Sequence, residues 1–334
     1  MRFFLSFLGR RGWLVGSLLG ILAGPALAQQ PAPTPRDTSF TTHSAYVKAK
    51  KQHPTITVAR PAVPKTIRTA PNQTYCTLPG GRALQLDVFY PKAKRRQPYP
   101  AVLIVHGGGW RSGERSQHVP LAQQLAARGY VAVTAEYRLS TEAPYPAAVQ
   151  DLKTALRWLR ANARTYRVDT TKVAIWGFSA GGQLATLVGT TAGDPLFEAG
   201  SCYRSRSSAV QAIIDADGTL AFIHPESGEG DDRKGPSAAT LWFGASKTEK
   251  PELWQQAAPL NHVSAQTPPI LFINSGVARM HAGRDDMRRQ LDALGIYSEV
   301  QSFPEAPHPF PLFNPWFEPT LLYTVNFLNK VFGR

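Results

Sequence analysis

The sequence predicts an α/β fold in which one mostly parallel central sheet carries helices on both faces. Short apolar runs suited to strands covered on both sides alternate with amphipathic segments of helical period from residue 83 onward. At 334 residues the chain is also long enough for one large core with accessory segments. No internal repeat that would indicate a solenoid is present.

The predicted strands are short and largely uncharged, with room for a helix between most of them. They cover residues 83–90, 100–105, 131–135, 173–176, 210–214, 270–273 and 297–303. The intervening segments predict helices at 119–128, 147–162, 181–188 and 287–294, with a terminal helix at 317–332. The first strand alternates apolar and polar residues, which is typical of an outer antiparallel strand.

The N-terminus has the pattern of an export signal. Three arginines precede an uncharged apolar run at 12–27, which ends in Ala-Leu-Ala at 26–28. An uncleaved anchor is the alternative, but the run is short for a span of about 20 residues and Gly24-Pro25 interrupts it. We therefore predict that residues 1–28 are a cleaved signal peptide. The mature protein would be periplasmic or secreted, without stable membrane insertion.

The formal charge of +14 is concentrated near the N-terminus. Residues 1–99 hold 15 Lys/Arg and 2 Asp/Glu, whereas residues 100–334 hold 22 and 21. The main part of the chain is therefore nearly neutral, and no nucleic-acid partner is indicated. The basic excess of the mature protein lies in a Pro-, Thr- and Lys-rich stretch at 29–72, which we predict to be an extended or disordered leader to a catalytic domain at 73–334.

Two further features concern the domain itself. Residues 219–263 are rich in Gly, Pro, Ser and acidic residues and too long for a plain connection, so they predict a cap-like insertion over the carboxyl edge of the sheet. Cys76 and Cys202 allow one disulfide, with two free buried thiols as the alternative. Neither cysteine has the neighbours of a metal site, and we expect no metal and no organic cofactor.

The stretch VAIWGFSAGGQLA at 173–185 changes from a strand pattern to a helix pattern in its middle. Gly177 and Gly181 flank Ser179 at the spacing of a strained strand-to-helix turn that lifts a serine hydroxyl clear of the sheet, above a helix N-terminus. We predict that Ser179 is a catalytic nucleophile.

A glycine loop, His-Gly-Gly-Gly-Trp at 106–110, directly follows the predicted strand 100–105. In hydrolases with such a serine turn, a loop of this form offers backbone N–H groups to an oxyanion, together with the N–H of the residue after the serine. Gly108, Gly109 and Ala180 are therefore the predicted oxyanion hole. A phosphate loop is the alternative, but no Gly-Lys-Ser/Thr follows.

The general base is predicted to be His308, which stands just past the last predicted strand. The acid is less clear, because FINSGVARMHAG at 272–283 contains no carboxylate before Asp285. We favour Asp217, at the end of the strand before, and retain Asp285 as the alternative acid. Asp215 would be a buried or structural carboxylate. The acid would hold the imidazole tautomer and stabilise the imidazolium.

At HGGGW, YRLS, APYPAAVQDLKTALRWL, VAIWGFSAGGQLA and PHPF, the chain resembles α/β-hydrolase esterases that remove acetyl, feruloyl or methyl groups from plant cell-wall polysaccharides. The resemblance covers about residues 83–330 and implies the α/β-hydrolase fold. The distal part, from PPILFINSGVARMHAGRDDM to PHPFPLFNPWF, resembles bacterial pectin methylesterases more than xylan acetylesterases. It implies pectin, a methyl-esterified galacturonic acid polysaccharide, as the substrate and partner.

Several residues near the predicted cleft suit such a substrate. Arg279, His281 and Arg284 are donors where a carboxylate is expected, and arginine grips carboxylates of a partly de-esterified polyuronide in bidentate fashion. Arg284 has the alternative of pairing with Asp285 or a helix end. Trp110 is a candidate for stacking on a sugar face.

The sequence thus predicts a secreted serine carboxylesterase that removes methyl esters from pectin through an acyl-enzyme. The alternative within the class is an acetyl or feruloyl esterase acting on xylan or pectin. An inactive hydrolase fold used as a binding module would predict loss of a motif member, yet the serine, glycine loop and histidine are all present. A peptidase shares the same triad and is not distinguished by it.

Overall fold

The apolar runs of the sequence form strands in a computed structural model that describes residues 37–93 and 96–334. The predicted signal peptide at 1–28 and the start of the leader lie outside the described residues. The strands are β1 (Thr57–Val58), β2 (Ile67–Thr77), β3 (Ala83–Pro91), β4 (Tyr99–Val105), β5 (Val131–Ala135), β6 (Val168–Phe178), β7 (Ala212–Ala216), β8 (Ile270–Ser275), β9 (Ser298–Phe303) and β10 (Phe313–Asn314).

Amphipathic segments form the helices. These are α1 (Thr42–Lys50), α2 (Val119–Ala127), α3 (Ala147–Ala161), α4 (Ala163–Tyr166), α5 (Ala180–Thr190), α6 (Ala238–Phe243), α7 (Pro251–Gln256), α8 (Arg284–Ala293) and α9 (Phe317–Phe332). Short 3₁₀ turns at Arg115–His118, Pro259–His262, Ala278–His281 and Phe310–Leu312 complete the connections. None of the helices in the described ranges is long and apolar enough to cross a membrane.

The main sheet has eight strands in the order β2-β3-β5-β4-β6-β7-β8-β9. The first two pairings are antiparallel, and every pairing from β5 to β9 is parallel. Because side chains alternate along a strand, β4 sends Leu103 to one core layer and Ile104 to the other. Helices α3, α5 and α8 cover the first layer, and α2 and α9 cover the second. The predicted fold class, a mostly parallel sheet with helices on both faces, is confirmed.

The N-terminal stretch differs from the extended or disordered leader expected at 29–72. Helix α1 begins with a capping box between Thr41 and Ser44, and it packs Ala45 and Ala49 beside Phe313. Farther along, β2 joins the main sheet as its outer antiparallel strand from Ile67 onward. The sequence of α1 shows little apolar periodicity because the helix buries only two alanines. This is why the sequence did not predict a helix here. The folded domain therefore begins before residue 73.

The long insertion and one disulfide complete the fold. Residues 219–263 form α6, α7 and a 3₁₀ turn between β7 and β8, with Phe222, Trp242 and Trp254 buried. A disulfide joins Cys76 in β2 to Cys202 in the loop after α5, with the two Cα atoms 5.9 Å apart. Of the alternatives that the sequence left open for the cysteines, the structure has the disulfide.

Candidate active site

Ser179 occupies a sharp turn between β6 and α5, with φ 57° and ψ −125°. Flanking glycines make this turn possible, because the backbone passes too close for a side chain. A Cβ on Gly177 would lie 1.9 Å from the carbonyl oxygen of Gly181, and a Cβ on Gly181 would lie 2.4 Å from that of Val105. Strain of this kind is held only where the surroundings dictate it. The turn therefore presents the serine hydroxyl at the carboxyl edge of the sheet.

His308 links Ser179 to a carboxylate by hydrogen bonds. Its Nε2 lies 2.8 Å from Ser179 Oγ, and its Nδ1 lies 2.9 Å from Asp217 Oδ2. Since a carboxylate only accepts, Nδ1 carries the proton and Nε2 is free to accept from the serine hydroxyl. These three residues are separated by up to 129 positions in the chain. The arrangement can take up the serine proton as Ser179 attacks an acyl carbon.

Asp217 is fully buried and follows the last residue of β7. Its carboxylate also accepts from Ser275, from the backbone N–H at 2.8 Å and from the side-chain hydroxyl. These donors hold the carboxylate in place against the imidazole. Asp285, the alternative acid, lies instead in the first turn of α8 with its side chain 57% exposed, and it accepts from Arg284. The structure thus brings Asp217, and not Asp285, to His308.

Asp215 lies two residues before Asp217 and is also fully buried. It accepts from the backbone N–H of Gly218 at 2.9 Å. Burial, together with the nearby charge of Asp217, raises the pKa of Asp215 well above its ordinary value. Its full burial and its hydrogen bond with Gly218 fit the structural role expected for Asp215.

The glycine loop and the start of α5 bring backbone N–H groups toward the serine. Gly108 has φ 130°, and a Cβ there would lie 2.2 Å from the carbonyl oxygen of Ser112. Gly109 has φ 61°. Nowhere in residues 37–93 and 96–334 does a group accept a hydrogen bond from the backbone N–H of Gly108, Gly109 or Ala180. These donors remain available to an anionic oxygen at the N-terminus of an 11-residue helix.

A cavity of about 300 Å³ opens above Ser179. Its walls come from the glycine loop, the turn at Ser179, the insertion and the loop after β8. The lining residues are Gly109, Trp110, Ser179, Ala180, Asp217, Thr219, Gly228, Glu229, Ser237, Ala238, Arg279 and Met280. This volume is at the lower end for small-molecule sites.

Two opposite charges face each other in this cavity. The Glu229 side chain is 15% exposed, and one of its oxygens lies 3.7 Å from Arg279 Nη1, on a side chain that is 53% exposed. Burial raises the pKa of Glu229, although the positive charge of Arg279 opposes this shift. Arg279 therefore reaches the site as predicted, but with a carboxylate already beside it.

Of the other predicted substrate contacts, Trp110 lines the cavity, whereas His281 and Arg284 do not. Trp110 lines the cavity but is buried, with its indole stacked 5.0 Å from Trp242 and its Nε1 donating to Gln183. Arg284 donates to Asp285 and to Asn274, as in the alternative considered for it. His281 does not line the cavity, and burial together with Arg284 lowers its pKa. Because Trp242 covers one face of the Trp110 ring and the residue is only 3% exposed, the structure does not support the expected sugar stacking on Trp110.

The insertion and the glycine loop share one aromatic cluster, made of Trp110, Phe222, Trp242, Phe243 and Trp254. Ring centroids of neighbouring members lie 4.6–6.4 Å apart, within the range in which aromatic pairs attract. The cluster therefore packs the insertion against the glycine loop, which carries the N–H groups of Gly108 and Gly109.

The insertion contributes to the cavity wall, and the sequence did not identify which of its residues do so. Thr219, Glu229, Ser237 and Ala238 line the cavity. The length and position of the insertion predict that it lies over this edge, but no motif marks which of its residues point inward. Metal ligands are not grouped here: nowhere in the described ranges do three or more His, Cys, Asp or Glu side chains come together as a metal site.

Comparisons with known proteins show which family and which fold the chain is similar to. Residues 86–278, more than half of the chain, match the family model described as BD-FAE. Esterase LipC of Mycobacterium tuberculosis is 30% identical over 197 residues, which are 57% of this chain and 47% of LipC. The chain spans about half the length of the curated relatives it matches first.

Two solved structures are similar in fold. A truncated carbohydrate esterase from gut microbiota has a TM-score of 0.68 at 24% identity, covering 82% of this chain and 99% of its own. An esterase from Thermogutta terrifontis with bound butyrate has a TM-score of 0.65 at 24% identity, covering 80% and 95%. At this identity the likeness shows the fold, and it confirms the predicted α/β-hydrolase architecture.

Proposed function

This chain belongs to the BD-FAE family, and we propose that it is a serine carboxylesterase that removes methyl esters from pectin through an acyl-enzyme. One observation carries the serine esterase part of this proposal: an unbroken hydrogen-bond chain runs from Asp217 through His308 to Ser179, at the floor of a cavity. Roles for these residues follow from the geometry, and no metal or organic cofactor takes part in the proposed steps.

In the first half-reaction Ser179 Oγ attacks the ester carbonyl carbon while His308 Nε2 takes the hydroxyl proton. The negative oxygen of the tetrahedral intermediate accepts from the N–H groups of Gly108, Gly109 and Ala180. Asp217 keeps the imidazole in the required tautomer and stabilises its positive charge. His308 then returns the proton to the departing alcohol, leaving an ester on Ser179.

Water completes the cycle by the same steps in reverse. His308 takes a proton from a water molecule, the resulting hydroxide attacks the acyl carbon, and the proton passes back to Ser179 Oγ as the acid leaves. The positive N-terminus of α5 favours both tetrahedral intermediates, since each carries a negative oxygen beside it.

The substrate assignment uses the cavity and Arg279. In a uronic acid methyl ester the sugar is the acyl part, so the sugar remains on the enzyme and methanol leaves. A cavity of about 300 Å³ around Ser179 provides space for such a ring. Arg279, exposed at the same cavity, is placed to pair with a free carboxylate on a neighbouring galacturonic acid unit.

An acetyl or feruloyl esterase acting on xylan or pectin is the second candidate, and Glu229 favours it. A carboxylate in the cavity accepts hydrogen bonds from the hydroxyls of a neutral sugar, whereas it repels an anionic one unless Arg279 intervenes. The two candidates thus differ in which member of the Glu229–Arg279 pair the substrate uses.

Product release from defined polymers tests the assignment. We expect methanol from methyl-esterified pectin, at a rate well above acetate from acetylated xylan or ferulate from feruloylated xylan. Ser179→Ala should abolish both this release and the burst of nitrophenol from p-nitrophenyl acetate. Acetate or ferulate as the main product would replace the methyl ester assignment by the second candidate. Unchanged turnover in Ser179→Ala would end the serine mechanism.

Arg279→Gln tests the contact that selects an acidic chain. We expect KM for pectin to rise several-fold while kcat/KM for p-nitrophenyl acetate stays within about twofold, because the small ester has no carboxylate to lose. Arg233→Gln is the matched control, since this exposed arginine of the insertion does not line the cavity. An equal effect of both variants would remove Arg279 from substrate recognition.

We also propose that the protein is exported. The disulfide between Cys76 and Cys202 supports this location, because such bonds persist in oxidising compartments. Fractionation of producing cells should find the protein in the periplasm or the medium, shortened by about the first 28 residues. Full-length protein in the cytoplasm would contradict the proposal.

A further inference from the structure

A second cavity of about 300 Å³ lies far from Ser179, and the proposed reaction does not use it. It is formed by the end of α3 and the loop between α5 and β7. Three arginines and one carboxylate line it, namely Arg157, Arg204, Arg206 and Glu198, together with the polar backbone and hydroxyls of 207–208. No aromatic residue contributes to its wall.

The negative charge of the carboxylate in this cavity is already balanced by cations of the protein. Glu198 accepts from Lys153 Nζ at 2.9 Å, and also from Arg157 and the Ser208 hydroxyl. Although burial opposes it, these hydrogen bonds from Ser208 and Lys153 lower the pKa of Glu198 to about 2. Glu198 therefore stays charged and paired, and it does not supply a partner for the outer arginines.

Arg204 and Arg206 retain their charge without a partner. Both are exposed, and within the part of the chain that the structure describes neither side chain forms an ion pair or hydrogen bond. The buried Arg157 keeps its Nε without an acceptor in the same described residues. The cavity thus presents unpaired guanidinium groups, which bind carboxylates or phosphates well.

The loop that carries these arginines is held at several points. Cys202, two residues before Arg204, is bonded to Cys76 in the sheet. Arg160 donates from its guanidinium to the carbonyl oxygens of Ser207 and Ala209, just after Arg206. Fixing the backbone on both sides reduces the entropy that would be lost when a ligand binds.

This cavity lies at the end of the sheet where the parallel strands begin, whereas the catalytic serine lies at the end where they finish. Its loop leads into the first residue of β7, Ala212, whereas Asp217 follows the last residue of that strand. Five strand residues separate the two edges by about 17 Å at about 3.3 Å per residue. One short ester therefore does not occupy both sites, but a polymer or several of its segments can.

We propose that this cavity is an anion-binding site that holds carboxylate groups of an acidic polysaccharide, and that it tethers the enzyme to its polymer. The choice of a polyuronide rests on the proposed function, while the presence of an anion site does not. Exposed arginines supply the charge, and the absence of an aromatic wall disfavours a nucleic acid, whose bases need rings for stacking.

Direct binding tests this site without turnover. Ser179→Ala/Arg279→Gln protein, in which the proposed carboxylate contact of the active-site cavity is also removed, is titrated calorimetrically at low ionic strength with an oligogalacturonate, a neutral xylo-oligosaccharide and a single-stranded oligonucleotide. We expect the oligogalacturonate to bind, and Arg204→Gln/Arg206→Gln to weaken it about tenfold, as two exposed ion pairs together imply. Arg60→Gln/Arg68→Gln is the control. These two exposed arginines lie outside the cavity, and replacing them removes the same amount of positive charge.

Turnover gives the second readout. In otherwise wild-type enzyme, the Arg204/Arg206 double variant should raise KM for polymeric pectin and leave p-nitrophenyl acetate hydrolysis and the melting temperature unchanged. Unaltered binding in this variant, or an equal loss in the control, would overturn the proposal. Equal binding of the oligonucleotide would overturn the polyuronide assignment. Absence of methanol release from pectin would instead refute the proposed function. Binding of the oligogalacturonate that is lost in the Arg204/Arg206 variant would still support the anion site, because calorimetry measures binding without turnover.

Discussion

Replacing Asp217 by asparagine changes one oxygen of a fully buried carboxylate into an N–H donor. The Ser275 backbone N–H, at 2.8 Å, requires the remaining oxygen as its acceptor. The new amide N–H₂ group then faces His308 Nδ1, which must accept instead of donate. The imidazole proton moves to Nε2 and points at Ser179, so no base is left for the hydroxyl.

The expected loss follows from this tautomer. A misplaced imidazole proton in a Ser-His-Asp site costs about 10⁴-fold in kcat, or about 5.5 kcal/mol of activation free energy. Initial rates with p-nitrophenyl acetate measure it directly. Urea unfolding of the same variant shows whether the protein is still folded, and we expect the loss of stability to be far smaller than the loss of activation free energy.

Asp285→Asn is the matched control. Its carboxylate is exposed and pairs with Arg284, so we expect the rate to stay within about twofold of wild type. A folded Asp217→Asn enzyme within tenfold of wild type would refute the assignment. An Asp285→Asn variant that loses orders of magnitude would transfer the role to that residue.

Three further predictions concern stability and are measured by urea unfolding. Gly181→Ala places a Cβ 2.4 Å from the carbonyl oxygen at the end of β4, so we expect a loss above about 3 kcal/mol; a change under 1 would contradict the close approach. Burial lowers the pKa of His118 from 6.5 to about 3, so below pH 6.5 the unfolded chain takes up the proton first and stability falls with pH. Between about pH 7.5 and 5, wild type should lose about 2 kcal/mol more than His118→Phe, and equal losses would show that His118 is not buried neutral. Cys76→Ser/Cys202→Ser removes a bond across 126 positions and should cost about 2–5 kcal/mol, and unchanged stability would exclude the disulfide.

Much of the fold could be predicted because each buried strand of the parallel sheet is a continuous apolar run. β5 has the predicted bounds, 131–135, and the terminal helix α9 covers 317–332 as expected. The outer strand β2 was not predicted, because it contains Pro71 and its pairing with β3 shifts register twice. An edge strand that is half exposed lacks the apolar run that marked the others.

The part of the site that lies in local motifs could be predicted from the sequence. Ser179 and the glycine loop lie in local motifs, whose chemistry depends on neighbouring residues in the chain. The choice between Asp217 and Asp285 depends on which strand end lies next to His308 in space, which the sequence left open. Glu229 was missed because it lies in an insertion whose irregular backbone follows no periodic pattern.

The aromatic cluster that the insertion shares with the glycine loop limits how this protein can be altered. Trp110 belongs to the same loop as two of the oxyanion donors, and its ring packs on Trp242 of α6. Any redesign that resizes this tryptophan pair would therefore also displace the backbone N–H groups that we propose as the oxyanion hole. Variation at the rim, at positions such as Glu229 and Ser237, leaves that packing intact. New specificities should accordingly be sought by varying these rim residues while the aromatic cluster is kept unchanged.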